Sequence, residues 1–234
     1  MQKSFLLKTL PLVIFIVMSG QEASAQSSIG VRGGVNISNY WGTYLNTNYE
    51  SKAGLVIGVA AQFQQNDWLS LQAELNYDVR GANYNSITDD GIIYKTEYKD
   101  IILDANYLTL PVLAKFDMGE KNRVFGYGGL YLGLLMSSSI TGNEVITNKY
   151  DPDDVITTPI DRDYKDEIQN FDMGAVFGMG ADFRISESIA IFIDGRYNWG
   201  WLNTARQGQG RIFNSVWSFN LGVMYDLKKS ERFY

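Results

Sequence analysis

The chain has 234 residues and contains neither cysteine nor histidine. Without cysteine there is no disulfide framework and no thiol chemistry. A lipid anchor attached after export is excluded for the same reason, because that attachment needs a cysteine. Without histidine, no imidazole can act as general base, proton shuttle or metal ligand. Outer-membrane proteases, phospholipases and acyltransferases generally rely on one, so the chain is expected not to be an enzyme, with no catalytic, cofactor or metal site. Basic runs are missing as well, and 20 basic against 26 acidic residues give a net charge of −6. That balance argues against nucleic acid as a partner.

An apolar run long enough for a membrane helix, about 20 residues, is absent at the N-terminus, where Leu10 to Met18 is short. Lys3 and Lys8 precede this run and Ala23-Ser24-Ala25 comes after it, the pattern of a cleaved export signal covering residues 1–25. A permanent N-terminal anchor is the alternative reading. Removal of the signal changes the net charge to −7, since Lys3, Lys8 and Glu22 leave with it. The remainder, residues 26–234, suits one domain.

From Gln26 onward the chain alternates apolar and polar residues with period two, the mark of strands with one apolar face. In Trp68 to Arg80, Leu69, Leu71, Ala73, Leu75, Tyr77 and Val79 fall on one face and Ser70, Gln72, Glu74, Asn76, Asp78 and Arg80 on the other. The same reading covers Ile29 to Asn39, Ala53 to Gln64, Tyr107 to Met118, Phe171 to Ile185, Ser188 to Trp201 and Val216 to Leu227. Arg123 to Ile140 is ambiguous, because Val124 to Asn143 carries no charge and admits a membrane helix. Gly126, Gly128, Gly129 and Gly133 weaken a helix there and favour a strand.

Eight strands is an even number, as single-chain bacterial barrels require. The connections alternate long and short. Tyr40 to Lys52, Gly81 to Asn106, Thr141 to Asn170 and Leu202 to Ser215 are long; the turns near Asn66, Lys121 and Glu187 are short. Short periplasmic turns alternating with long extracellular loops are characteristic of an outer-membrane barrel. The expected fold is therefore an all-β, eight-stranded antiparallel transmembrane barrel in the outer membrane, with both termini in the periplasm. Trp68, Phe116, Tyr127 and Tyr225 (with Phe63 and Phe125) are expected in an aromatic girdle at the periplasmic rim. Tyr197, Trp199, Trp201, Trp217 and Phe219 (with Tyr40 and Trp41) are expected at the outer rim.

The polar faces would then line the lumen with Arg32, Arg80, Lys115, Arg184 and Arg196 against Glu74, Asp78, Asp172, Asp182, Asp194 and Asp226. An eight-stranded barrel is just wide enough for side chains to fill, so these charges are expected to pair and plug it. A proton or ion path is the alternative. Glu74 and Lys115 are expected to be coupled within this network. Thr141 to Asn170 carries eight carboxylates against three basic residues. It lacks the spacing and glycine of an EF-hand, which makes a solvated acidic loop the plainer reading than a Ca²⁺ site.

Several segments together resemble the PorT-type outer-membrane β-barrel family. They are Gly30-Val31-Arg32-Gly33-Gly34-Val35-Asn36, Leu71-Gln72-Ala73-Glu74-Leu75, Tyr107 to Lys115, Gly128 to Gly133, Phe171-Asp172-Met173-Gly174 and Arg196-Tyr197-Asn198. The resemblance implies an eight-stranded barrel with Glu74, Lys115, Asp172 and Arg196 inward. It also brings in protein secretion, since the namesake is an accessory part of a secretion apparatus. The leading functional expectation is a non-enzymatic protein, embedded in outer-membrane lipid, whose extracellular loops bind or shield a partner. An accessory role among envelope or secretion-system proteins is the second, and a small-solute channel the third. A soluble lipocalin-like barrel with its apolar face inward is the fourth.

Overall fold

The structure, a computed structural model, describes residues 27–43, 48–89, 93–205 and 210–227. The proposed export signal and the tail Lys228 to Tyr234 lie outside the described residues. The described residues form nine strands: β1 (Ser27–Thr43), β2 (Asn48–Gln64), β3 (Leu69–Asp89), β4 (Tyr94–Met118), β5 (Asn122–Asn148), β6 (Val155–Asp163), β7 (Phe171–Arg184), β8 (Ile189–Gly200) and β9 (Arg211–Asp226). A short 3-10 turn, Lys165–Glu167, separates β6 from β7.

Eight of these strands close a ring, in the order β1-β2-β3-β4-β5-β7-β8-β9 and back to β1, every pairing antiparallel. The fold is the expected eight-stranded transmembrane barrel of the outer-membrane type. The ambiguous segment is strand, not helix, and forms β5. Closure leaves the ring no open edge, so every backbone group in the wall can pair within the sheet, as a lipid surround demands. Over the lower and middle wall the apolar faces point outward, with Val31 60%, Leu55 67%, Ile57 66% and Met179 72% exposed. A lipocalin-like arrangement would have these residues inside.

Two expected loops are instead largely strand. β3 and β4 continue as a hairpin to Asp89 and Tyr94, and β5 runs on to Asn148 before β6 returns along it. The acidic stretch from Thr141 is therefore not one solvated loop. As far as Asp163 it is the top of β5, a short turn and the added strand β6, which among the described residues pairs only with β5. Together β3, β4, β5 and β6 make a tall wall on one side of the mouth.

Among the described residues one edge of β6 is unpaired, and Pro159 lies on it. The bonds from Tyr164 N–H to Ser138 O and from Asn148 N–H to Asp154 O identify the bonded rungs of this ladder. Pro159, opposite Asn143, falls between them, so its nitrogen points to the free edge. A proline there costs no ladder bond and removes a donor that another strand could use.

β-Bulges mark the change from wall to hairpin. Asn106 pairs with Ser137 but Tyr107 with Leu135, which leaves Met136 as an extra residue in β5. Below it Tyr127, Tyr131 and Leu135 face inward; above it Ser138 and Ile140 do. One inserted residue exchanges the two faces of a strand. A second bulge lies at Asp100, the described non-glycine residue with a left-handed backbone (φ 53°), whose N–H is accepted by Asn85 Oδ1 at 2.7 Å.

Candidate functional site

The polar side chains of the barrel meet in three tiers. The middle tier centres on Glu74, from β3. Its carboxylate accepts from Arg32 of β1 and, at 2.8 and 3.1 Å, from both terminal nitrogens of Arg196 of β8. Gln72 and Asn76 donate to it at 2.6 and 2.9 Å. Arg196 also holds Asp194 at 3.2 Å, and Tyr127 Oη and Asn220 donate to the same carboxylate at 3.0 and 2.8 Å. The Arg196 guanidinium lies 5.0 Å from the centre of the Tyr127 ring. Two arginines thus face two carboxylates, and the four charged side chains are at most 3% exposed.

The tier toward the long-loop end is built on Arg80, held by Asp78 at 3.0 Å and Asp172 at 3.1 Å. Its guanidinium sits between the rings of Tyr107 and Tyr131, at 5.4 and 5.1 Å. Asp172 accepts further bonds from Tyr131 and Asn214, and Asp78 from Thr109 and Asn36. Here one guanidinium serves two carboxylates. The tier at the short-turn end pairs Lys115 with Asp182 at 2.6 Å and Asp117 at 3.4 Å, and Arg184 with Asp226 at 2.6 Å. Ser28 donates to Asp226, and Arg123 approaches Asp117 at 4.0 Å.

All eleven residues named from the sequence for the lumen point inward, at the places just given. Glu74 and Lys115 do not touch, which corrects the expected coupling. They belong to different tiers, because Lys115 pairs across the β3–β4 ladder with Ser70, four residues nearer the short turns than Glu74. Asp117 and Arg123 were missed. Asp117 shares its face with Lys115 two residues earlier, a signal the alternation carried; Arg123 sits at the very start of β5, where no alternation had yet begun. Such pairs hold their places only while every charge keeps its partner, since removing one strands the other in low dielectric.

Above the upper tier the barrel opens into a cup of about 650 Å³. Ile101, Leu103 and Ile140 are buried beneath it, and Tyr40, Tyr49, Tyr84, Tyr98, Ile160 and Tyr164 pack on them. Tyr49 meets Tyr40 and Tyr84 edge to face, with ring centres 5.5 and 5.7 Å apart. Glu144, Asp161, Arg162 and Glu167 contribute charge to the lining. Arg162 pairs with Glu167 and lies 5.4 Å from the Tyr164 ring. The hydrogen bond between Tyr98 and Glu144 raises the Tyr98 phenol above its ordinary range.

Residues 20–206 match the profile of the outer membrane protein beta-barrel domain family. The chain belongs to that family. No curated protein matches it in sequence. Solved structures that resemble this outer-membrane barrel share little sequence with it. OprG of Pseudomonas aeruginosa is 11% identical at a TM-score of 0.47, over 88% of this chain and 98% of that one. E. coli outer membrane protein W is 11% identical at 0.44, over 88% and 100%. Ail, the attachment invasion locus protein of Yersinia pestis, is 11% identical at 0.39, over 86% and 99%.

On the outer surface of this outer-membrane barrel, Trp68, Phe116 and Tyr225 point outward near the short turns, with Trp68 and Phe116 stacked at 6.0 Å. Trp199, Trp201, Trp217 and Phe219 point outward toward the long-loop end, and Tyr197 packs on Trp217 at 4.9 Å. Tyr127 departs from the expected girdle, as do Phe125 and Tyr40: Tyr127 and Phe125 are buried inside the barrel, and Tyr40 packs inward on Ile101, Leu103 and Ile140. For Tyr127 the reason is on the facing strand. β7 sets Gly178 opposite Tyr127, and a Cβ at that glycine would stand 2.6 Å from the ring. Gly174 leaves the same room beside Tyr131. Glycines at 174, 178 and 180, all on the inward face of Phe171 to Arg184, were the sequence signal for rings inside.

Proposed function

We propose that this outer-membrane barrel is a non-enzymatic binding protein with a closed lumen, whose long-loop end faces the exterior and engages a partner. Residues 1–25 serve as its cleaved export signal, and both termini stand in the periplasm. The observation that carries the reading is the sequence of layers along the axis. Three tiers of paired charges fill the bore, an apolar floor covers them, and the barrel ends in a cup walled by hairpins. Charges in the bore are held by several donors each, at 2.6–2.8 Å around Glu74 and Asp194, and this packing of the lumen weighs against the channel reading.

The test has two arms. In a planar bilayer, the refolded protein is expected to show no steady single-channel conductance; a reproducible open level would defeat the closed-lumen reading. Replacing residues 143–164 by a short turn removes the top of β5 and β6 but leaves all eight ring strands. The shortened protein is expected to keep its heat-dependent gel shift and to lose surface binding in cells.

The PorT-type resemblance of the segments around Arg32, Glu74, Lys115 and Arg196 favours a second reading, an accessory component of a secretion apparatus. Its working surface would be the short-turn end. Retention of phenotype after the hairpin is shortened, with loss after substitutions at Asp67 or Glu187, would replace the first reading by this one.

A further inference from the structure

We propose that the cup at the long-loop end is a receptor site for an organic cation on an apolar stem, such as an amine or guanidinium side chain. The inference rests on the binding reading above and names the chemistry of its ligand.

Four observations converge on it. The first is size: the cup holds about 650 Å³, within the range of sites that bury small ligands. The second is its wall, which presents Tyr49, Tyr84, Tyr98 and Tyr164 over the buried apolar floor of Ile101, Leu103 and Ile140. Aromatic faces attract cations through their quadrupole, more strongly where water is partly excluded, and the floor suits an aliphatic stem. The third is charge. Arg162 is matched by Glu167, so among the described residues Glu144 remains as a carboxylate of the lining held by a phenol and not by a cation. Below the floor, Asp78 and Asp172 of the upper tier share the single charge of Arg80. Residues 141–170 around the rim carry eight carboxylates against three basic residues, a field that draws in cations and repels anions.

The fourth is a precedent inside the cup. Arg162 already lies over the Tyr164 ring with its charge paired to a carboxylate. Tyr98 with Glu144 offers the same pair of groups, ring and carboxylate, on the neighbouring strands β4 and β5. A guest cation would complete there what Arg162 completes beside Tyr164. A neutral saccharide would use the rings and hydroxyls but would gain nothing from the acidic rim.

The test uses the full mature chain refolded in detergent micelles with isotope-labelled tyrosine rings. Spermidine and a lysine tetrapeptide are the two probes, a free polyamine and a peptide source of the same chemistry; maltose is the neutral control. Either cation is expected to shift tyrosine ring signals saturably, with an affinity that falls as salt is raised. Glu144→Gln and Tyr98→Leu are each expected to weaken binding about tenfold, while Tyr98→Phe, which keeps the ring, retains most of it. The gel shift on heating checks that each variant is folded. Absence of saturable shifts with both cations overturns the proposal, as does binding that is unchanged in Glu144→Gln and Tyr98→Leu. Saturation by maltose and not by the cations overturns it in favour of a saccharide. If the cations fail while hairpin shortening still abolishes surface binding, the cation inference falls and the binding reading stands. Cation binding with a surface phenotype that survives shortening gives the reverse result.

Discussion

The lower barrel and the hairpin extension above it are built from the same continuous strands, yet they sort their side chains in opposite ways. In β5 below Met136, Leu130, Leu132 and Leu134 face outward while Arg123 and Tyr127 face in. Above it the buried position belongs to Ile140, and in β4 to Ile101 and Leu103. The solvent outside the wall explains the inversion. Where hydrocarbon surrounds the sheet, apolar side chains gain nothing by turning inward, and polar groups must find partners inside. Above the lipid, water surrounds the sheet and the ordinary rule returns, with about 25 cal/mol per Å² favouring apolar burial. In β5 the change comes at the Met136 bulge; in β4 Ile101 and Leu103 keep the phase of Tyr107 and Thr109, and the bulge at Asp100 lies above them.

This comparison can be broken most severely at Glu74. Glu74→Ala leaves Arg32 and Arg196 without their shared carboxylate and is expected to cost about 3–5 kcal/mol, measured by urea unfolding in micelles. The same substitution combined with Lys115→Ala is expected to be additive, since the two lie in separate tiers. Lys115→Ala with Asp182→Ala is expected to recover part of the loss, because those two touch at 2.6 Å. Additivity in the second pair and coupling in the first would overturn the tiered arrangement.

A smaller and more local effect is expected in the extension. Ile101 is fully buried, and Ile101→Ala is expected to cost about 2–4 kcal/mol of packing. The loss should be confined to the upper ends of β4 and β5, around the Ile101, Leu103 and Ile140 cluster. Amide exchange is expected to quicken at the tops of β4 and β5 and to stay unchanged around Glu74. Equal acceleration in both regions would show that barrel and extension open as one unit.

The smallest effect concerns pH. Hydrogen bonds from Lys95 and then Lys99, at the tip of the β3–β4 hairpin, pull the Glu97 carboxyl down to about 2. A depressed carboxyl stabilises above its ordinary range, near 4.3, and loses that contribution as pH falls through its folded value. The bracket is therefore complete at pH 5 and above and is released toward pH 2. A carboxyl NMR titration is expected to place the Glu97 midpoint well below that of an ordinary glutamate. Lys95→Gln with Lys99→Gln should return it to that range. Because the group is at the surface, screening by salt is expected to shrink the shift.

The reach of the sequence alone divides along the same line. In the lower barrel, one face had to meet lipid and the other a narrow bore, so every second residue carried the same instruction from Ile29 to Tyr225. The strands, their outward faces and the inward position of Glu74, Asp172 and Arg196 were all legible in that alternation. In the extension the alternation changes phase at each bulge and both faces are mixed. Tyr94 to Asn106 and Thr141 to Asp163 therefore read as loops, although they form sheet.

Composition and period alone thus determined the even-stranded barrel and most of its lumenal charges, Asp117 and Arg123 being the exceptions. Only the tertiary structure decided which charges meet. Partners in a barrel come from strands distant in sequence, and the shear of the sheet sets Glu74 level with Arg32 and Arg196 while it lowers Lys115 to Asp182. It also decided the direction of Tyr127, because the room for that ring is a glycine on another strand. The cup belongs to the same class: its tyrosines lie on four separate segments, and only the curvature of the closed sheet turns them toward one axis.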